Sequence, residues 1–218
     1  NNNVYPFNIK CLNNFKELKI DNSVTLFYGE NGVGKSTLIE AIAISLGLNP
    51  EGGSNNMQFS NYDDYSELYK HLTISKFRVP KTKFFLRAES FYNVATDISN
   101  NSDLSYQYGG DLHQCSHGES FLQLVENRFW DKGLYILDEP IAGVDPAARD
   151  YILDVILTNY DPSASILIST HLIADIENIL DQVIFIQNGQ IRLSSSVDDI
   201  RAEEGKSVDA LFREVFRC

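Results

Sequence analysis

The sequence is poor in cysteine, with only Cys11, Cys115 and Cys218 among 218 residues and no paired spacing. A disulfide framework is therefore excluded as the basis of the fold, and a reduced, cytosolic compartment is expected. A chain of this length buries about 70% of the surface that it exposes when unfolded, so it needs no covalent staple. Hydrophobic residues at 43% and charged residues at 22% are ordinary globular values, which excludes a disordered or fibrous chain.

Long apolar runs and positive charge are also scarce. No stretch approaches the roughly 18–20 apolar residues that span a bilayer, and no signal peptide is visible. Lys and Arg number 18 against 30 Asp and Glu, and the formal net charge of −12 disfavours nucleic acid and anionic lipid as partners. There are no internal repeats or coiled-coil heptads. A role at the membrane would therefore require a separate membrane-spanning partner.

Short apolar runs alternate with helical patterns along the chain, which predicts an α/β fold around a mostly parallel sheet. Strands are predicted at 24–28, 83–87, 134–137 and 165–169, followed by a hairpin at 183–193 with the turn signal Asn188-Gly189. We expect one domain over 1–218, with an irregular insertion at about 51–80, a mobile connection at about 97–114 and C-terminal helices at about 196–218. The connection is expected because the pairs Asn100-Asn101 and Gly109-Gly110 favour turns.

A glycine-rich segment follows the first predicted strand. It runs from Gly29 to Thr37 and matches G-x-x-x-x-G-K-[ST] between a strand and a buried helix. The glycines let backbone N–H groups turn inward around phosphate oxygens, and the helix N-terminus adds a positive dipole. Lys35 is expected to reach the β- and γ-phosphates, and the Ser36 hydroxyl to bind Mg²⁺. The predicted phosphate-binding residues are Asn31, Gly32, Val33, Gly34, Lys35, Ser36 and Thr37.

Polar residues also follow two other predicted strands. Asp138 and Glu139 end the apolar run Leu134–Leu137. One acid at such a strand end can hold Mg²⁺, and the next can deprotonate an attacking water, which favours hydrolysis over binding alone. His171 follows the strand at 165–169. Because ligands bind outside the carboxyl ends of parallel strands, His171 is expected to face the same crevice and to contact the γ-phosphate or the water.

These three motifs together resemble the ABC-type ATPases. Residues 1–130 look like small stand-alone ATPases of the AAA/ABC-like group, and residues 140–218 look like nucleotide-binding subunits of ABC exporters, so a mosaic or engineered chain is one possibility. The resemblance implies a P-loop NTPase fold of ABC ATPase type, with a small antiparallel β portion and a short helical signature region. It also implies ATP and Mg²⁺ as cofactors and a homodimer that encloses nucleotide.

The resemblance assigns further positions. The segment Cys115–Glu119 stands where the family has its LSGGQ signature peptide, so Ser116 and Gly118 are expected to contact the γ-phosphate of nucleotide held by a second subunit. The segment Ala142–Asp145 is similar to the family's D-loop, which crosses the dimer interface. The departures from the signature lie at Cys115, His117 and Glu119.

Two weaker assignments concern the metal and the base. Glu89 lies where the family's Q-loop glutamine would touch Mg²⁺ or water, although the sequence has no glutamine there. An ordinary surface glutamate is the alternative at that position. Phe15 is the candidate for stacking on adenine, and the choice between ATP and GTP stays open.

The primary hypothesis is a Mg²⁺-dependent ATPase with nucleotide sandwiched in a head-to-tail homodimer. The main alternative is the ATP-binding subunit of an ABC transporter, although only 26 positions separate Glu89 from Cys115, which is short for a subdomain that receives a membrane partner. A DNA-repair or chromosome-type ATPase and a nucleotide switch without turnover are weaker alternatives. The pattern His113-x-Cys115-x-His117 could also suggest zinc, but no fourth ligand is evident.

Overall fold

The computed structural model describes residues 17–20, 24–57, 65–76, 78–129, 132–159, 161–187 and 190–216. Within these ranges, seven β-strands form one mixed sheet. They are β1 (Val24–Tyr28), β2 (Gly53–Ser54), β3 (Thr82–Arg87), β4 (Gly133–Asp138), β5 (Ser165–Ser169), β6 (Gln182–Gln187) and β7 (Gln190–Ser196). Their order across the sheet is β2-β3-β4-β5-β1-β6-β7. The five strands from β3 to β6 in this order run parallel, and β2 and β7 pair antiparallel at the two edges.

Helices cover both faces of this sheet. In the described ranges the α-helices are α1 (Lys35–Ser45), α2 (Phe91–Asn100), α3 (Ser102–Gln107), α4 (His117–Arg128), α5 (Pro146–Asn159), α6 (Ile173–Ile176), α7 (Val197–Glu204) and α8 (Val208–Val215). Short 3₁₀-helices occupy Glu67–His71, Leu112–Gln114 and Glu177–Ile179. The architecture confirms the predicted α/β fold with a mostly parallel sheet and a small antiparallel portion.

The core has one layer on each face because alternate strand residues point to opposite sides. In β1, Leu26 and Tyr28 belong to one layer and Phe27 to the other. Helix α1 supplies the second layer with Leu38 and Ile39, which are fully or almost fully buried. Its apolar residues lie nearly all round the helix, as expected of a helix enclosed between the sheet and neighbouring segments. The remaining helices pack mainly on the opposite face.

The stretch 97–114, for which we predicted a turn-rich connection, is largely helical instead. Helix α2 buries Phe91, Val94, Ala95 and Ile98 at helical spacing, and the Asn101 side chain accepts hydrogen bonds from the first turn of α3. The Asn and Gly pairs that suggested a loop are therefore caps and helix ends. The predicted insertion at 51–80 contains, in its described parts, β2 and the first 3₁₀-helix.

The C-terminal region agrees with the expectation of a hairpin followed by helices. Strands β6 and β7 pair antiparallel. Ser196 and Ser207 are the N-caps of α7 and α8, and their side chains accept hydrogen bonds from the first turns of these helices. The predicted turn at Asn188-Gly189 and the adenine candidate Phe15 lie outside the described residues. None of the helices in the described ranges combines the length and apolar composition that crossing a bilayer requires.

Candidate active site

The glycine-rich segment connects β1 to α1 at the carboxyl edge of the sheet. Gly32 and Gly34 have φ angles of 79° and 101°, in the left-handed region that suits glycine. Gly34 caps α1 but has no side chain to bond to the helix, and no acid lies in the first turn. A helix N-terminus of this kind favours an anion. Gly29 also has a packing role, because a Cβ there would lie 2.2 Å from the backbone oxygen of Ile186.

Lys35 is the buried cation of this segment. Its Nζ donates hydrogen bonds to the backbone oxygens of Gly29 (2.8 Å) and Glu30 (3.0 Å), so the side chain folds back across the loop. Burial lowers the pKa of Lys35, and the carboxylates of Glu139 and Asp138 act in the opposite direction. Both acids are therefore within electrostatic reach of the lysine.

Asp138 ends β4 and is held by the neighbouring strand. Its side chain is only 6% exposed, and its Oδ1 accepts a hydrogen bond of 2.5 Å from the hydroxyl of Ser169, the last residue of β5. Strand register places the two residues side by side. Ser169 was not among the predicted site residues, because only the pairing of β4 with β5 brings its hydroxyl to the acid.

Glu139 and His171 meet directly across two strand ends. His171 Nδ1 lies 2.9 Å from Glu139 Oε2, and the two side chains are 52% and 23% exposed. Glu139 has a φ of 50°, a left-handed conformation that costs about 1–3 kcal/mol in a residue other than glycine. Its backbone N–H donates to the oxygen of Ser169 at 2.9 Å, which helps to hold this conformation. The structure thus brings together two residues that are 32 positions apart.

Glu89 lies near this site without reaching the other predicted magnesium ligands. Its side chain is 86% exposed, and its Oε2 is 3.5 Å from a terminal nitrogen of Arg87. In the described part of the chain, no hydrogen bond or ion pair joins Glu89 to Ser36 or Asp138. Arg87, which the sequence did not single out, contacts Asp138 instead.

The signature-like segment Cys115–Glu119 leads into the first turn of α4. Ser116 is the N-cap: its Oγ accepts from the Glu119 N–H (3.4 Å), and Glu119 Oε2 accepts from the Ser116 N–H (2.8 Å). Hydrogen bonding from the Ser116 side chain, and secondly from its backbone N–H, lowers the pKa of Glu119. A Cβ at Gly118 would lie 3.3 Å from a methyl of Val144, so the segment packs against the D-loop-like turn. Among the described residues, no hydrogen bond or ion pair joins Ser116 or Gly118 to Lys35.

The His113-x-Cys115 pattern has ordinary partners. His113 Nε2 is 3.0 Å from the hydroxyl of Thr96, and its ring packs on Tyr92 with centroids 4.8 Å apart. Cys115 Sγ is 3.6 Å from Gln123 Oε1. The side chain of His117 lies outside what the structure describes. Within the described residues, no group of three or more His, Cys, Asp or Glu side chains is placed to hold a metal.

Strand order explains why the main motifs converge. β4, β5 and β1 are neighbours, and their carboxyl ends lead into Asp138-Glu139, Thr170-His171 and the glycine-rich loop. Ligand sites of open α/β sheets lie at this edge. The arrangement places the glycine-rich loop, two acids and a histidine at one edge of the sheet. These groups are of the kind that position a phosphate chain and activate water.

Comparison with known proteins agrees with this geometry. The model of the AAA domain family matches residues 7–128, more than half of the chain. The chain therefore belongs to the AAA domain family. Its relatives and its fold also support the predicted resemblance to ABC-type P-loop ATPases. The family match ends shortly before β4, whereas the ABC relatives described next align with more than four-fifths of the chain.

Two relatives come from Bacillus subtilis (strain 168). The chain is 25% identical to the uncharacterized ABC transporter ATP-binding protein YthP over 189 residues, which cover 81% of this chain and 76% of the relative. It is 26% identical to the ABC-type transporter ATP-binding protein EcsA over 206 residues, covering 87% and 83%. A solved ATP-binding subunit of an ABC transporter superposes with a TM-score of 0.50 at 22% identity, covering 89% of this chain and 88% of that chain. The structural likeness supports the fold.

Proposed function

We propose that the protein hydrolyses ATP in a Mg²⁺-dependent reaction. The observation that carries this proposal is the contact between Glu139 and His171 at the same sheet edge as the loop of Lys35. A phosphate-binding loop alone would suit a nucleotide switch. A carboxylate in a strained conformation, hydrogen-bonded to a histidine, supports turnover, because strain concentrates at catalytic positions.

Each residue has a separate task in this scheme. Lys35 and the backbone amides of the glycine-rich loop bind and orient the phosphates. Glu139 accepts the proton of the attacking water, in line with its place beside the loop. His171 hydrogen-bonds Glu139 and thereby orients the carboxylate, and its exposed ring is available to the γ-phosphate.

The donor groups at the site fit magnesium. The Ser36 hydroxyl and the Asp138 carboxylate are oxygen donors, which Mg²⁺ prefers, and no thiolate or imidazole is among the proposed ligands. Asp138 Oδ1 accepts a hydrogen bond from Ser169, and Oδ2, which lies 3.6 Å from Nε of Arg87, is the oxygen that would face the metal or its water. Glu89 stays the weaker third candidate because of its exposure. When bound, the ion would neutralise charge on the phosphates.

Two copies of the chain would complete each site. Ser116 and Gly118 lack contacts to Lys35 within the described part of one chain, and Ser116 is exposed at the start of α4. The N-terminus of this twelve-residue helix can receive a γ-phosphate from a second chain, as the resemblance to the signature peptide implies. A head-to-tail homodimer would place one signature segment over each glycine-rich loop.

Mixing two inactive variants tests this composite site. Ser116→Asp keeps an N-cap residue but adds a negative charge where phosphate would approach, and Lys35→Ala removes the buried cation. Each variant alone is expected to hydrolyse ATP very slowly. Their mixture should regain activity, because a mixed dimer contains one site with both segments intact. The measurement is phosphate release at several protein concentrations, at which the wild-type rate should rise with the square of concentration in the dilute range.

A matched control is available at the C-terminus. Ser207 caps α8 through its side chain in the same way, so Ser207→Asp should leave the hydrolysis rate unchanged. A mixture that stays as slow as its components would argue against composite sites. The same conclusion would follow from a wild-type rate that is strictly proportional to protein concentration.

A second candidate function is that of an ATP-binding subunit coupled to a membrane-spanning partner. The names of the two Bacillus relatives described above favour it. The helical segment α2–α3 also favours it, because it is a folded element that a partner could contact. This segment presents two large exposed aromatic side chains, Tyr92 (71%) and Tyr106 (89%). Exposed aromatic residues are frequent at protein interfaces.

Co-purification from membranes tests this second candidate. The wild-type chain is expected to retain a multi-span membrane protein in mild detergent, and the double change Tyr92→Ala and Tyr106→Ala should reduce the recovered amount several-fold because it removes the anchors. Tyr151→Ala is the matched control, since Tyr151 is 55% exposed on α5. A wild-type chain that purifies without any membrane protein would exclude stable coupling, while leaving the ATPase proposal intact.

A further inference from the structure

Arg87 connects three carboxylates at the end of β3. One terminal nitrogen makes an ion pair with Glu40 of α1, and the other lies 3.5 Å from Glu89. Its Nε lies 3.6 Å from Oδ2 of Asp138. The side chains of Arg87, Glu40 and Asp138 are 18%, 8% and 6% exposed, so this part of the cluster is largely shielded from water.

The Nε atom of Arg87 has an unusual place in this cluster. It is buried and makes no hydrogen bond within the described residues, although it faces Asp138 at a distance slightly beyond hydrogen-bond length. Buried donors normally have partners. Oδ1 of Asp138 accepts a hydrogen bond from Ser169. Oδ2 is the oxygen that faces Nε of Arg87, and no hydrogen bond joins these two atoms.

Glu40 gives the cluster its second connection. It lies four residues after Ser36 in α1, and residues four apart share one face of a helix. Both oxygens of Glu40 are engaged, since Oε1 accepts from the Ser66 N–H at 3.0 Å and Oε2 pairs with Arg87. The helix face that carries Ser36 is therefore tied to Arg87 through a fixed carboxylate.

We infer that Arg87 is a positioning residue for the magnesium site. It links Glu40, one turn from Ser36, to Asp138, and thereby sets the separation of two proposed Mg²⁺ ligands that belong to different elements. This role rests on the proposed function. Arg87 makes no hydrogen bond to Oδ2 of Asp138, so that oxygen stays available to the ion or its water.

The chemistry of arginine suits this position. A planar guanidinium presents several donors in fixed directions and stays charged, whereas a lysine offers one compact ammonium that cannot face Glu40 and Asp138 in the same way. Strand register also contributes, because Arg87 is aligned with Asp138 across β3 and β4. Groups of this kind, which contact a ligand rather than the ion, typically change metal affinity by about 10- to 100-fold when they are removed.

Calorimetric titration of ATP into the protein, in EDTA and in excess Mg²⁺, distinguishes a role at the magnesium site from a general role in ATP binding. For the wild type, Mg²⁺ is expected to tighten ATP binding. Arg87→Met should lose about 10- to 100-fold of this Mg²⁺-dependent gain, while its affinity in EDTA is unchanged. Arg87→Lys should show an intermediate loss, because lysine keeps the positive charge but lacks the planar guanidinium with several donors.

A second variant keeps the test sound if Arg87→Met is poorly folded. Glu40→Gln preserves the acceptor for Ser66 and removes only the charge that anchors Arg87, so it should reproduce the loss of the Mg²⁺-dependent gain. Arg213→Met is the matched control, because Arg213 pairs with Asp209 on the exposed side of α8. Circular dichroism establishes that each variant is folded before the titration.

The outcomes separate the two proposals. A Mg²⁺-dependent gain that is the same in wild type, Arg87→Met and Glu40→Gln overturns the positioning role and leaves the ATPase proposal standing. Equal losses of ATP affinity in EDTA and in Mg²⁺ also overturn the positioning role, since they indicate that Arg87 maintains the shape of the glycine-rich loop. A wild-type chain that binds no ATP in either buffer overturns the proposed function, and the role of Arg87 falls with it.

Discussion

Glu139→Gln is expected to lower the rate of ATP hydrolysis by about 10²- to 10⁴-fold, which is the contribution typical of a general base. Glutamine has nearly the same shape and can still accept a hydrogen bond from His171, but it cannot take a proton from water. ATP binding should therefore persist, and the slow turnover should let the nucleotide-bound dimer accumulate. Single-turnover phosphate release measures the rate, and size-exclusion chromatography with ATP and Mg²⁺ measures the dimer.

The control for this change is Glu203→Gln in α7, where an exposed glutamate loses its charge far along the chain from the site motifs. Its hydrolysis rate should equal that of the wild type. Normal turnover by Glu139→Gln would show that the base is another residue. A variant that loses ATP binding as well would indicate that Glu139 shapes the site through its strained backbone rather than through proton transfer.

Lys35→Ala is expected to weaken ATP binding by about 10- to 100-fold or more, because a hydrogen bond to a charged group contributes about 1.5–3 kcal/mol. The loss should appear in EDTA as well as in Mg²⁺, which distinguishes it from the effect expected of Arg87→Met. Isothermal titration of ATP measures the affinity. The thermal shift that ATP produces should shrink in parallel, since a ligand stabilises the folded chain according to its affinity.

Lys35 also makes hydrogen bonds within the loop, and the interpretation of Lys35→Ala must take them into account. Its Nζ bonds to the oxygens of Gly29 and Glu30, so Lys35→Ala removes two contacts within the loop as well as the cation. Lys206→Ala removes a surface lysine that is paired with Glu214 and should leave ATP affinity unchanged. An ATP-induced thermal shift equal to that of the wild type in Lys35→Ala would contradict the assigned role.

Helices α2 and α3 show where sequence patterns misled. Asn100-Asn101 and Gly109-Gly110 suggested a connection, yet Asn101 caps α3, and Gly109, with a φ of 83°, follows it. The helical spacing of the buried residues in α2 was a signal that could have identified the helix. Residues that favour turns also favour helix ends, so they mark a boundary without saying what lies between two boundaries.

The sequence by itself determined the local chemistry of this protein. Apolar runs bounded by turn-forming residues placed β1 at Val24–Tyr28 and β5 at Ser165–Ser169, as the structure has them. The glycine-rich motif, the acid pair and His171 were each recognisable because they directly follow such strands. A strand and the few residues after it form a local unit, and its pattern can be interpreted without knowledge of the rest of the chain.

The tertiary structure alone decided which of these units are neighbours. Ser169 reaches Asp138 because β5 pairs with β4, and Arg87 reaches it because β3 pairs with β4 on the other side. These pairs are separated by 31 and 51 positions, over which no local pattern specifies register. The left-handed backbone of Glu139 is of the same kind, since the contacts that hold it come from Ser169 and His171 on another strand end. Packing of the whole sheet sets such contacts, because only the burial of both faces fixes the order and register of its strands.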